Sequence, residues 1–187
     1  MKKTLLLLVL AALMGCSSKA QVKWQTIEQA SQVELKGNNR LFFVDFTTAW
    51  CGWCKKMEHD TFSDPVVAAI MNQYFVPVKF DAEGKSAFTW NGTKYANTNP
   101  SVNGRPATHP FTVAVLGQKI GYPSFAFFGK DRKLITILQG YQPAGEFQIV
   151  LWYLASGDSN RYSFEQYQKI FDSEIRPVMM KKLGLAK

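Results

Sequence analysis

The sequence predicts an α/β fold, a central mixed sheet flanked by helices. Three observations predict it. Arg40–Phe46, Tyr74–Asp81 and Tyr122–Phe128 are nearly continuous apolar runs of strand length, the pattern of strands covered on both faces. The stretches between them carry apolar residues at helical spacing. The last strand is followed by a turn and a further short run, so a parallel pair is extended by an antiparallel hairpin.

Each element has a local reason. Val22-Lys23-Trp24 reads as a short strand, and Thr26 with Gln29 forms a capping-box pattern that opens a helix through about Leu35. Gly37-Asn38-Asn39 stops it. Arg40–Phe46 follows with one acid, Asp45, in an otherwise apolar strand. A helix starts at Cys51; Met57, Val66, Val67, Ile70 and Met71 keep its spacing, and Pro65 divides it into two pieces. After the strand Tyr74–Asp81, residues 82–107 turn rich in Gly, Asn, Thr and Pro. Trp90-Asn91-Gly92-Thr93 marks a hairpin there, and the stretch reads as an insertion rather than a domain. Thr108 caps a short helix through Leu116, with Pro110 in its first turn and Gly117 at its end. Tyr122–Phe128 turns at Gly129-Lys130-Asp131 into Leu134–Leu138. Pro143–Ala155 is a helix with Phe147, Val150, Leu151 and Leu154 on one side. Ser163 with Gln166 opens a last helix, which Pro177 must kink or end.

With 187 residues, 47% of them hydrophobic, the chain holds one domain with extensions and a sizeable core. Its net charge of +8 is scattered, with no basic stripe interleaved with stacking aromatics, so nucleic acid is not an expected partner.

The first residues read as an address. Met1-Lys2-Lys3 is a short positive region, and Leu5–Met14 is apolar but too short to span a bilayer, which takes about 20 residues. The segment ends in Leu13-Met14-Gly15-Cys16, which resembles a bacterial lipoprotein box. That resemblance implies a signal peptide over 1–15, lipidation of Cys16 and a polar tether over 16–21. An ordinary secretory signal with an incidental cysteine is the alternative. Ser17 lacks the acid that signals inner-membrane retention in enteric lipoproteins, which points to the outer membrane.

Three cysteines are too few for a disulfide scaffold, and two of them, Cys51 and Cys54, stand as Cys-x-x-Cys between a buried strand and a helix. A sulfur at a helix N-terminus meets free N–H groups and the macrodipole, which favour the thiolate. That thiolate, Cys51, attacks a partner disulfide, and Cys54, one turn on, resolves the mixed disulfide. Gly52 permits close approach of a partner backbone. Zinc binding and a purely structural disulfide are the competing readings. Zinc takes four ligands, and no second cysteine pair exists, so no metal is expected.

The segment Val44-Asp45-Phe46-Thr47-Thr48-Ala49-Trp50-Cys51-Gly52-Trp53-Cys54-Lys55, with Thr61-Phe62-Ser63-Asp64-Pro65, Lys79 and Tyr122-Pro123, resembles the thioredoxin family. It looks nearest to thioredoxin-like domains of bacterial exported proteins, among them the C-terminal periplasmic domain of DsbD-type transporters. The resemblance implies a thioredoxin fold over 22–155, with the insertion 82–107 preceding the strand of a cis-proline and a helical extension over 156–187. It implies that Asp45 is the buried acid that takes a proton from the resolving thiol, with a raised pKa, and that Lys79 neighbours it. It implies that Pro123 is cis, exposing the Tyr122 backbone to a partner strand. Trp50 and Trp53 form an apolar rim around the sulfurs, or lie partly in the core. Trp53 departs from thioredoxin itself, which has proline there.

The expected activity is thiol–disulfide exchange with protein disulfide or dithiol clients, of reductase or repair type, in the bacterial cell envelope and fed by an upstream thiol donor. No Gly-x-Gly-x-x-Gly motif is present, and no cofactor is expected beyond the cysteine pair. Two further readings stand beside it: a thiol-dependent chaperone or maturation factor for a metal or cytochrome pathway, and a non-catalytic binding module.

Overall fold

The computed structural model describes residues 21–98, 101–102 and 104–186. The expected signal peptide, Cys16 and nearly all of the expected tether lie outside the described residues.

Four strands form the central sheet: β1 (Leu41–Thr47), β2 (Phe75–Asp81), β7 (Ser124–Phe128) and β8 (Leu134–Gln139), in the order β2-β1-β7-β8. β1 and β2 are parallel; β7 and β8 add antiparallel. The predicted parallel pair with an antiparallel hairpin is therefore present. Two short hairpins, β3 (Ala87–Trp90) with β4 (Thr93–Ala96) and β5 (Ser101–Val102) with β6 (Arg105–Pro106), occupy the region read as an insertion. The helices are α1 (Ile27–Ser31), α2 (Gly52–Asp60), α3 (Pro65–Tyr74), α4 (Pro110–Leu116), α5 (Ala144–Ser156), α6 (Phe164–Ile170) and α7 (Arg176–Lys182).

Alternation along the strands divides the core into two layers. Phe43, Phe75, Phe125 and Phe127 pack with Met57 of α2, Val67 and Met71 of α3, and Phe147, Leu151 and Trp152 of α5. Tyr167, Phe171 and Met179 from the C-terminal extension share this layer. On the other face Phe42, Val44, Phe46 and Phe80 pack with Ile27 and Ala30 of α1, Phe111 of α4, and Phe88 and Trp90 of the inserted hairpin. The insertion thus covers one face of the sheet.

Phe43 is the hub of the first layer. It is fully buried, stacked on Phe125 at 5.7 Å and edge-on to Phe127 at 5.2 Å. Phe43→Ala is expected to cost about 3–5 kcal/mol, read as the loss of unfolding free energy in urea titration of the oxidised protein.

Four expectations are corrected in detail. Val22–Trp24 forms no strand; only Gln25 bridges to β2, through Gln25 N–H to Pro77 O at 2.8 Å and Lys79 N–H to Gln25 O at 3.1 Å. The chain turns at once into the Thr26 capping box, which ends the pairing. α1 stops at Ser31 rather than Leu35, because the buried Arg132 guanidinium donates to the carbonyls of Ala30 and Val33, both at 2.7 Å. α4 is capped by His109, whose Nδ1 accepts from Phe111 N–H at 3.0 Å, and not by Thr108. Pro177 sits in the first turn of α7, and the irregularity precedes it as a π-helical turn over Phe171–Ile175. Proline has no N–H for the carbonyl one turn back, and the wider turn absorbs that mismatch.

Candidate functional site

Strand β1 delivers the site. It runs apolar to Val44, places Asp45 on the face that α2 covers, and ends at Thr47, four residues before Cys51. Thr48 and Cys51 form a turn, with Cys51 N–H donating to Thr48 O at 3.1 Å. α2 then starts with Cys51 as its N-cap; Cys54 N–H donates to Cys51 Sγ at 3.0 Å. Cys51 and Cys54 are joined in a disulfide, with Cα atoms 5.3 Å apart. Both are buried alike, at 3% and 5% exposure. A Cβ added at Gly52 would meet nothing within 4 Å among the described residues, so packing there does not require glycine.

Asp45 lies buried, and its Oδ1 has no hydrogen-bond partner among the described residues. Burial pushes its carboxyl up to about 7; the Lys79 ammonium opposes this and the Glu58 carboxylate adds to it. Lys79 stands opposite Asp45 in the β1–β2 register. Its Nζ pairs with Glu58 and lies 5.0 Å from the Trp24 ring centre. Cys54, Thr47, Glu58, Lys79 and Asp81 line an open cleft, which gives protons a path between solvent and this side of the disulfide.

Glu58 was not singled out in the sequence. Its one signal is position: it follows Cys54 by four residues on α2, hence shares a helical face with it. Glu83 was missed as well. It lies just past β2, and its Oε2 accepts from Trp50 Nε1 at 2.9 Å.

Trp50 and Trp53 are rim rather than core, 65% and 58% exposed. Trp50 meets the Tyr122 ring edge-on at 5.9 Å; Trp53 leans on Tyr141 at 5.6 Å. Lys56 foremost, then His59 and Tyr141, whose hydroxyl donates to Asp60 at 3.0 Å, hold the Asp60 carboxyl well below the usual range. The Tyr122–Pro123 bond is cis, and among the described residues the Tyr122 main chain takes no backbone partner. Burial pushes the Tyr122 hydroxyl up to about 12, helped by the carboxylates of Glu83 and Asp81.

A four-stranded mixed sheet, helices on both faces and a Cys-x-x-Cys disulfide at a helix N-terminus define a thioredoxin-fold protein of thiol–disulfide oxidoreductase type. The chain belongs to the Thioredox_DsbH family, described as a protein of unknown function, DUF255, whose model matches residues 11–140. A thioredoxin-fold protein from Helicobacter pylori superposes with a TM-score of 0.51, at 14% identity over 83% of this chain and 99% of that one. A thioredoxin from Thermus thermophilus superposes at 0.50, with 19% identity over 76% and 98% of the two chains. By sequence, the uncharacterized protein B0495.5 of Caenorhabditis elegans is 29% identical over 98 residues. The alignment covers 49% of this chain but only 13% of that much longer protein.

Proposed function

We propose that this chain exchanges disulfides with protein clients through Cys51 and Cys54, working as a reductase or repair factor of the bacterial envelope. The observation that carries the reading is a disulfide capping α2 and, on the strand that leads into it, a buried carboxyl pushed up to about 7 whose Oδ1 has no hydrogen-bond partner among the described residues. A structural disulfide needs no such acid.

In the reducing direction the Cys51 thiolate attacks one sulfur of a client disulfide. The Cys51–client bond forms, and the other client sulfur leaves as a thiolate. Asp45 takes the proton of the Cys54 thiol, and Cys54 attacks Cys51 Sγ. The mixed disulfide breaks, the second client thiol is released, and the Cys51–Cys54 bond closes. Two electrons have passed from the dithiol to the client. An upstream thiol donor returns them, and the cleft beside Glu58 and Lys79 lets the proton leave. The exposed Trp50 and Trp53 and the unpaired Tyr122 backbone are the docking surface, where an extended client segment can add as a short strand.

The test is reduction of insulin by the dithiol form, in the presence of dithiothreitol. Wild type should accelerate precipitation of the insulin chains and Cys51→Ser should not; equal rates for the two would sink the reading.

The envelope setting is proposed from the signal pattern over 1–15, and the anchor from Cys16. The expected result for Cys16→Ala in a bacterial host is loss of the protein from the membrane fraction, read by blotting soluble and membrane fractions. Unchanged partitioning would remove the anchor from the account. Among the described residues no helix is long and apolar enough to cross a membrane.

A further inference from the structure

Trp50 joins three parts of the chain that are far apart in sequence. It immediately precedes Cys51, at the mouth of the site. Its ring stands edge-on to Tyr122, which leads into the Pro123 strand. Its indole N–H is held by Glu83, at the threshold of the inserted region. Exposed at 65%, it has little packing to fix its rotamer, so these two contacts must do so.

Glu83 is itself held. Its backbone N–H donates to Asp81 Oδ1 at 3.0 Å, and Gly84 N–H donates to Asp81 O at 3.0 Å, so the end of β2 turns sharply beneath it. That turn has little slack: a Cβ at Gly84 would come within 3.1 Å of the Asp81 Cβ and 3.2 Å of its carbonyl oxygen. Two residues further on, Ser86 O lies 2.9 Å from Nε2 of His109, which is buried and caps α4. The carboxylate that reaches Trp50 therefore stands on a braced turn, anchored at both ends to the sheet and to α4. A hydrogen bond from a neutral donor to a carboxylate is stronger than one between neutral groups.

We infer that Glu83 is a positioning residue: it fixes Trp50 against Tyr122, and so sets the shape of the surface on which protein clients dock. The assignment rests on the proposed exchange activity and deepens it. Glu83 touches neither sulfur, so it acts on the client through Trp50. A small disulfide that needs no docking surface should be indifferent to it, whereas an extended protein segment should not.

The experiment compares wild type, Glu83→Ala, Glu83→Gln, Trp50→Phe and the Trp50→Phe/Glu83→Ala pair. Glu83→Ala is expected to raise KM for insulin several-fold with little change in kcat. The rate of the reduced protein with the small disulfide 5,5′-dithiobis(2-nitrobenzoate) should stay within about two-fold. Glu83→Gln keeps a carbonyl acceptor and should recover most of the loss. In the Trp50→Phe background the alanine change should add nothing, because the indole donor is gone. Equal loss toward insulin and the small disulfide, or an undiminished effect in the Trp50→Phe background, overturns the assignment.

A second readout does not depend on activity. The indole N–H resonance of Trp50, assigned by its absence in Trp50→Phe, should move and exchange faster with solvent in Glu83→Ala. An unmoved resonance overturns the inference even if the protein is active. A moved resonance in a protein that reduces no disulfide leaves Glu83 holding Trp50 but overturns the exchange activity on which its role depends.

Discussion

Cys54→Ser is expected to abolish turnover, by about 10³-fold or more, while leaving the first chemical step intact. Loss of a residue that acts as one unit with its partner costs on that scale. Cys51 caps α2 and receives the Cys54 N–H, so its sulfur is already where the helix N-terminus favours a thiolate. Removing Cys54 removes only the group that displaces the client. The variant should therefore accumulate covalent complexes through Cys51 that dissolve on adding dithiothreitol, and mass spectrometry of these names the clients. The reverse variant, Cys51→Ser, should trap nothing. The similar burial of the two residues makes this a real contest, since neither is favoured by exposure. If Cys51→Ser traps clients and Cys54→Ser does not, the roles are exchanged. If neither traps, the pair is structural.

The parts of the fold that were legible in the sequence are those whose signal is local. β1, β2 and β7 are strands because Arg40–Phe46, Tyr74–Asp81 and Tyr122–Phe128 carry apolar side chains for both core layers. Both capping boxes form as written, at Thr26 and at Ser163. What was not legible depends on residues distant in the chain. α1 ends early where Arg132, some hundred positions on, takes the carbonyl of Ala30 in the helix and that of Val33 just past its end. Thr108 is the cap that residue type favours; His109 takes the place instead, its ring packed against Phe80 and Phe88 with Nε2 beside Ser86 O. At the site, the Cys-x-x-Cys segment announces itself, whereas Glu58 and Glu83 are ordinary surface acids until β2 and the inserted region bring Lys79 and Trp50 together with them. A charge acquires its meaning from its partner, and the partner is fixed only by the tertiary fold.

Asp45→Asn is the change that separates the buried carboxyl's chemistry from its structural cost, and its two effects are expected to have opposite signs. In the oxidised protein Asp45 titrates near 7, against an ordinary carboxyl near 4, because burial penalises the anion more than Lys79 relieves it. The folded pKa lies above the unfolded one, so the group stabilises the fold most where it is protonated in both states. That contribution is complete below about pH 4 and is lost as the pH rises through about 7. A gap of about three units corresponds to about 4 kcal/mol at full ionisation. Asparagine is neutral throughout. Oxidised Asp45→Asn should therefore match wild type in urea unfolding near pH 4 and exceed it by up to about 4 kcal/mol at pH 8. Turnover should move the other way. If Asp45 is the proposed acceptor of the Cys54 proton, the resolving step should slow by about 100-fold, the low end for a positioned proton acceptor. The defect should fall on decay of the mixed disulfide and not on its formation, since Cys51 is activated by the N-terminus of α2 instead. Stopped-flow quenching with acid, followed by separation of mixed-disulfide species, resolves the two steps. A stability difference independent of pH between 4 and 8 would mean that Asp45 does not titrate in this window. Unchanged decay of the mixed disulfide would mean that the proton of Cys54 leaves by another route, and Glu58, four residues along α2 and lining the same cleft, is then the group to replace next.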